Sequence, residues 1–153
     1  MTLVVVDMQE EFFTYKSCLE SVIDIIELAK KRKEHIALLE YDNCGPTTPF
    51  ILLRLAGYPF FQRVTKYQDG GSLELIAAFQ KWNEEIDKDD IAIAGINTCF
   101  CIIETAQGLK HQLPDSKIRI HLKEVACTCP SKPWRNRPNQ IDCYNLLPEI
   151  FKG

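Results

Sequence analysis

Residues Asp90 to Leu109, DIAIAGINTCFCIIETAQGL, change their hydrophobic period midway, and only folds in which strands hand over directly to helices accommodate that change. Ile91, Ala92, Ile93 and Ala94 form a continuous apolar run that is too short for a buried helix and ends at Gly95, so they read as a buried strand. From Cys101 onward, Ile102, Ile103, Ala106 and Leu109 recur at helical spacing. The chain therefore turns through Ile96-Asn97-Thr98-Cys99, and Cys101 falls at the helix start. The first helical turn has unpaired N–H groups and a partial positive charge, which favour a thiolate over a thiol. The same N–H groups can receive the oxyanion formed when a thiolate attacks a carbonyl carbon.

The rest of the chain repeats the alternation. Thr2 to Val6 is a β-branched apolar run ending at Asp7, and Leu19, Val22, Ile23, Ile26 and Ala29 mark one face of a helix whose end is crowded with lysines. Ile36 to Tyr41 reads as a second strand, Phe50 to Leu55 as a short helix, and Phe60 to Thr65 as a third strand ending at Lys66. After the Gly70-Gly71 break, Ser72 is the expected N-cap of a helix lined by Leu73, Ile76, Phe79 and Trp82. A further strand is expected around Ile118 to Leu122. Beyond it come an irregular loop from Cys127 to Gln140, with three prolines, and a last helix from Ile141 to Phe151 that Pro148 bends or shortens.

This order predicts an α/β protein of three layers, a doubly wound, mostly parallel sheet flanked by helices, in one domain spanning residues 1–153. The net charge of −3 argues against nucleic acid or an anionic membrane as the main partner, since both reward a basic surface. No run approaches transmembrane length, TLVVV is too short for a secretory segment, and seven cysteines in a chain with its own core suggest reduced thiols; a cytoplasmic location is expected.

In parallel sheets ligands bind beyond the carboxyl ends of the strands. Asp7, Lys66 and Cys101 each follow or end a strand there, which brings an acid, an amine and a thiol to one edge. Lys66 as ammonium would stabilise a Cys101 thiolate, and Asp7 would take the thiol proton and return it to a leaving amine. Taken singly, each residue has a commoner explanation: packing for the cysteine, a loop contact for the aspartate, solvation for the lysine.

Three segments carry a resemblance. DMQEEFF at Asp7 to Phe13, VTKY at Val64 to Tyr67 and GINTCFCIIETA at Gly95 to Ala106 resemble, in order, the motifs of the isochorismatase-like cysteine hydrolases. The resemblance implies a Rossmann-type α/β fold and an Asp, Lys, Cys triad at Asp7, Lys66 and Cys101. It further implies a non-proline cis peptide at Ile96-Asn97 and an oxyanion held by the N–H groups of Asn97 and Cys101. It implies no cofactor, a small-molecule substrate, and association into homo-oligomers. Nicotinamidases of this family hold a metal with an Asp-x-His element after the second strand and a further histidine. Here that place reads Asp42-Asn43-Cys44, and His35, His111 and His121 lie elsewhere, so no metal is expected.

Gln9 is a candidate either to contact substrate or orient Asp7, or to support its loop; Phe12, Phe13, Tyr41 and Tyr67 are candidates for an apolar pocket wall, with core packing the alternative. Cys99 and Cys101, with Cys127 and Cys129, form two C-x-C pairs that a zinc or redox protein would use, although structural zinc favours C-x-x-C knuckles. For Cys99 the open alternatives are pocket lining, a redox partnership and local packing. Trp134, Lys132, Arg135 and Arg137 would suit a lid, an anion-docking loop or a subunit contact. The expectation is a metal-independent cysteine hydrolase that cleaves a C–N bond of a small amide, ureido or carbamoyl compound through an acyl-Cys101 intermediate. Its rival is a catalytically silent relative that binds a small ligand or a protein partner, favoured by the short chain and altered loops and opposed by the triad.

Overall fold

A computed structural model of the chain describes residues 1–12, 15–82 and 86–126. Five parallel strands form one sheet: β1 (Thr2–Val6), β2 (Ile36–Tyr41), β3 (Phe61–Lys66), β4 (Asp90–Ile96) and β5 (Lys117–Ala126), in the spatial order β3-β2-β1-β4-β5. The helices are α1 (Tyr15–Lys31), α2 (Pro49–Leu55), α3 (Ser72–Lys81) and α4 (Ile103–Gln112).

Alternation along the strands builds two cores. Val4 and Val6 of β1 and Ile91 and Ile93 of β4 point to one face, where they meet Leu75 and Phe79 of α3 and Ala106 and Leu109 of α4. Leu3, Val5, Ala92 and Ala94 point to the other, against Val22, Ile26 and Ala29 of α1 and Ile51 and Leu55 of α2. Both faces of β1 and β4 are covered, which is why these strands read as unbroken apolar runs. From β1 the chain steps outward through β2 to β3, then crosses back to lay β4 on the other side of β1. The strand order reverses direction between β1 and β4, the point at which sheets of this kind form their ligand crevice beyond the carboxyl ends.

Gly95 holds this crevice together. It pairs with Val6 at φ +118°, and a Cβ placed on it would lie 2.2 Å from the Val6 carbonyl oxygen. Both the backbone conformation and the space demand glycine. Gly95→Ala is therefore expected to cost at least about 3 kcal/mol in urea unfolding. A loss below about 1 kcal/mol would mean that β1 and β4 do not approach as described.

Several boundaries differ from the sequence reading. Ser72 opens α3 rather than capping it, and Gly71 is the cap, because the Ser72 side chain lies against Gly108 of α4, where any Cβ would meet Ser72 Oγ. β5 runs on to Ala126, since after a register irregularity Val125 and Ala126 pair with Gly95 and Ile96. Cys101 does not start α4: residues Thr98–Ile102 form a wide π-helical turn ahead of it, closed by Ile102 N–H donating to Asn97 O over 3.1 Å. Phe13, the loop from Cys127 to Gln140 and the helix expected from Ile141 to Phe151 lie outside the described residues, and with them Cys127 and Cys129.

Candidate active site

Asp7 is the first residue past β1, and its backbone adopts the left-handed conformation, φ 53°, that aspartate tolerates better than most residues. Its N–H donates to Leu39 O (2.9 Å) and its carbonyl accepts from Gln9 N–H (2.7 Å), which fixes the turn. The carboxyl is fully buried. Lys66 ends β3, two strands away, and its side chain reaches back past the end of β2 to close that gap. Its Nζ lies 3.1 Å from Asp7 Oδ2, donates to Asp69 O at 2.7 Å, and sits 4.3 Å from the centre of the Tyr41 ring. A fully buried lysine is tolerated only with such partners: a counter-ion, an acceptor and an aromatic face.

Cys101, 4% exposed, completes the group from the π-helical turn after β4. Its thiol lies close enough to the Asp7 carboxylate and the Lys66 ammonium for both charges to act on it. Burial and then the Asp7 charge push the Cys101 thiol up to about 12, and the ammonium of Lys66 offsets only part of this. The expectation of a favoured thiolate is thereby corrected: in a buried turn facing a carboxylate, desolvation and like-charge repulsion outweigh one ammonium, and the resting group is a neutral thiol. Burial also holds the Asp7 carboxyl above its ordinary range, against the pull of Lys66 and Cys101. A raised carboxylate beside the thiol is well matched to receive its proton.

The peptide bond between Ile96 and Asn97 is cis. Ile96 is fully buried, Asn97 is buried, and the Asn97 carbonyl takes the N–H groups of Phe100 and Ile102, the two residues flanking Cys101.

The remaining candidates separate. Gln9 is fully buried: its Nε2 donates to Tyr41 O (3.0 Å) and Gly45 O (2.6 Å), and its Oε1 accepts from Tyr41 N–H (2.8 Å). Of the alternatives for this residue, the structure assigns loop support, since the amide that would meet substrate is spent on backbone groups. Glu40 works beside it, accepting Thr47 N–H and holding Arg63 through a two-pronged pair at 3.0 Å. Phe12 and Tyr41 face each other with ring centroids 6.4 Å apart, and Tyr41 covers Lys66. Tyr67 is 68% exposed and lines a cleft between β3 and α3 with Arg63, Glu74 and Lys81, so it leaves the group at the crevice. Asp69 was missed. Its carbonyl takes the Lys66 ammonium, and its charge, after burial, holds the Tyr41 hydroxyl above its ordinary range. The only hint in the sequence is its place on the loop after β3.

The residues do not fit a nicotinamidase-type metal. His35 precedes β2 at the opposite edge of the sheet, packed on Phe60 and Trp82 at 5.4 and 5.1 Å, while His111 is exposed near the end of α4 and His121 lies in β5. Asp42 and Cys44 are left without a histidine, and no group of three or more His, Cys, Asp or Glu residues suited to a metal occurs among the described residues.

Neither the protein-family models nor the curated proteins give a sequence match. Solved structures do match the fold. A nicotinamidase of Staphylococcus aureus aligns with a TM-score of 0.74 over 96% of this chain and 91% of its own, at 17% identity. MAR1 ribonuclease of Caenorhabditis elegans aligns at 0.75, over 97% and 72%, with 14% identity. An N-carbamoylsarcosine amidase of Thermoplasma acidophilum aligns at 0.62, over 95% and 91%, with 17% identity. The chain has the isochorismatase-like α/β fold. That two amidases and a ribonuclease share it shows that the fold alone does not choose the chemistry.

Proposed function

We propose that this protein is a cysteine hydrolase that cleaves the C–N bond of a small amide, ureido or carbamoyl compound. The observation that carries the proposal is the buried Asp7–Lys66 ion pair with the buried Cys101 thiol beside it, beyond the carboxyl ends of β1 and β4. The amidases of the same fold support it.

In this scheme the carbonyl carbon of the substrate approaches Cys101, the thiol proton passes to Asp7, and the C–S bond forms as the carbonyl oxygen takes the negative charge. The N–H groups of Asn97 and Cys101 are assigned to that oxygen. Collapse of the intermediate breaks the C–N bond while Asp7 returns its proton to the leaving nitrogen. Water then attacks the thioester, Asp7 takes its proton, the C–S bond breaks, and the sulfur regains a proton as the acid leaves. Lys66 keeps Asp7 anionic between these transfers, despite a burial that favours the neutral acid. No helix among the described residues is long and apolar enough to cross a membrane, in keeping with a substrate taken from water.

The test is ammonia release from a panel of primary amides, ureido acids and carbamoyl compounds, with acid-quenched samples examined by peptide mass spectrometry. The expected result is release by the wild type, an acyl adduct on the peptide containing Cys101, and neither in Cys101→Ala. Release that survives in Cys101→Ala, or none from any compound, would overturn the proposal and favour the silent binding module.

A further inference from the structure

The approach of Lys66 Nζ to Asp7 Oδ2, at 3.1 Å, is an ion pair without the alignment of a hydrogen bond: neither Asp7 oxygen has a hydrogen-bond partner among the described residues. Coulomb attraction falls off slowly and fixes no direction, so it does not by itself aim a long, flexible side chain at one oxygen. Two other contacts do. Asp69 O accepts from Nζ at 2.7 Å, and the centre of the Tyr41 ring lies 4.3 Å from Nζ. The first comes from the backbone just beyond Lys66 itself. The second comes from another strand, and of the two it is the one that depends on a side chain.

The ring is itself held. Tyr41 ends β2 in register with Lys66 at the end of β3, and Asp42 N–H donates to Lys66 O at 2.9 Å, which ties the two strand ends together. Gln9 grips the Tyr41 backbone from both sides, accepting its N–H at 2.8 Å and donating to its carbonyl at 3.0 Å. Phe12 backs the ring, with centroids 6.4 Å apart and planes tilted by 55°. A ring fixed at its backbone and its flank is a stationary surface for an ammonium. A cation is drawn to an aromatic face most strongly where water is excluded, and Lys66 is 0% exposed. The Tyr41 hydroxyl is held above its ordinary range by burial and then by the charges of Asp69, Cys101 and Asp7, in keeping with a ring that stands beside the reacting groups.

We propose that Tyr41 is a positioning residue whose ring, by cation–π attraction, holds the Lys66 ammonium against Asp7, and that the electron density of the ring, not its bulk or its hydroxyl, sets how firmly. The turnover part of this inference rests on the hydrolase reading, whereas the hold on Lys66 does not. It differs from a pocket wall, in which Tyr41 would touch substrate and act through binding.

The experiment uses the full chain as Tyr41→Phe and with para-fluoro-, para-methyl- or para-cyanophenylalanine at position 41. Cyano and methyl groups both extend the ring at the same place, but cyano withdraws electron density from the face and methyl does not. In urea at neutral pH the para-cyano protein is expected to show an unfolding constant about tenfold above that of Tyr41→Phe, with para-fluoro between them and para-methyl level with Phe. In a background of Asp7→Asn with Lys66→Met, which removes the ammonium without stranding a buried carboxylate, that spread is expected to shrink below about twofold. Turnover is measured on a panel of primary amides, ureido acids and carbamoyl compounds that includes benzamide and N-carbamoylglycine. With the compound cleaved best, kcat is expected to fall in the same order, by about threefold or more in the para-cyano protein, while KM stays level. Equal stability across the four proteins, a para-methyl loss as large as the para-cyano one, or the same spread in both backgrounds overturns the inference. So does a KM that rises while kcat stays level, which is the mark of a pocket wall. Graded stability in a protein that cleaves nothing in the panel upholds the hold on Lys66 and sinks the hydrolase reading. Cleavage without any grading does the reverse.

Discussion

Asp7→Asn is expected to make Cys101 easier to alkylate and, at the same time, to abolish catalysis. In the wild type the thiol is pushed up to about 12, so its reaction with iodoacetamide should climb about tenfold per pH unit through the neutral and mildly alkaline range without a plateau. After burial, the largest cause of that shift is the Asp7 carboxylate. Asparagine removes the charge and leaves the Lys66 ammonium to favour the thiolate. The pKa therefore falls, and alkylation near neutral pH should quicken by about tenfold or more. Access to the sulfur is the same in both proteins, so the ratio reports the proton and not the opening of the pocket. Hydrolysis of a good amide should fall by about two to four orders of magnitude, because nothing remains to carry the proton from sulfur to the leaving nitrogen. Site-resolved mass spectrometry and ammonia release give the two numbers. Slower alkylation in Asp7→Asn, or retained turnover, would remove Asp7 from the role of base.

Much of this arrangement was legible because it rests on strands buried on both faces. TLVVV and IAIA announce themselves by composition, Asp7, Lys66 and Cys101 end or follow strands, and parallel strands put all such ends on one edge. What eluded the sequence depends on contacts between loops. Gln9 is one residue among several polar ones until Tyr41 and Gly45 surround it, and Asp69 acquires its partners only when Lys66 folds back beneath Tyr41. The wide turn before α4 has no periodic signature, since one extra residue in a turn leaves the apolar spacing of Ile102, Ile103 and Ala106 intact. The protonation of Cys101 was misjudged for a related reason. A place near a helix start is visible in a sequence, whereas the depth of burial that overrides it is not.

Lys66→Met should produce the largest loss of stability of any substitution at the site, and its pH dependence identifies the cause. Methionine fills a similar volume but leaves the Asp7 carboxylate fully buried without its counter-ion, which costs about 3–5 kcal/mol where a buried pair is broken from one side. Burial already raises Asp7 above its ordinary 3.8 while Lys66 pulls it down; without Lys66 the carboxyl rises further. A carboxyl raised in the folded state contributes stability below its unfolded value and loses that contribution as pH rises through the folded one. The deficit of Lys66→Met against wild type should therefore be small near pH 4, where the carboxyl is protonated in the variant, and should widen toward neutral pH. Adding Asp7→Asn removes the stranded charge, so the double variant should recover most of the loss at neutral pH, with a coupling of about 2 kcal/mol or more in a double-mutant cycle, while remaining inactive. Urea unfolding across pH measures all four proteins. A deficit that does not change with pH, or a double variant no more stable than Lys66→Met, would show that Lys66 serves the fold through packing rather than by balancing Asp7.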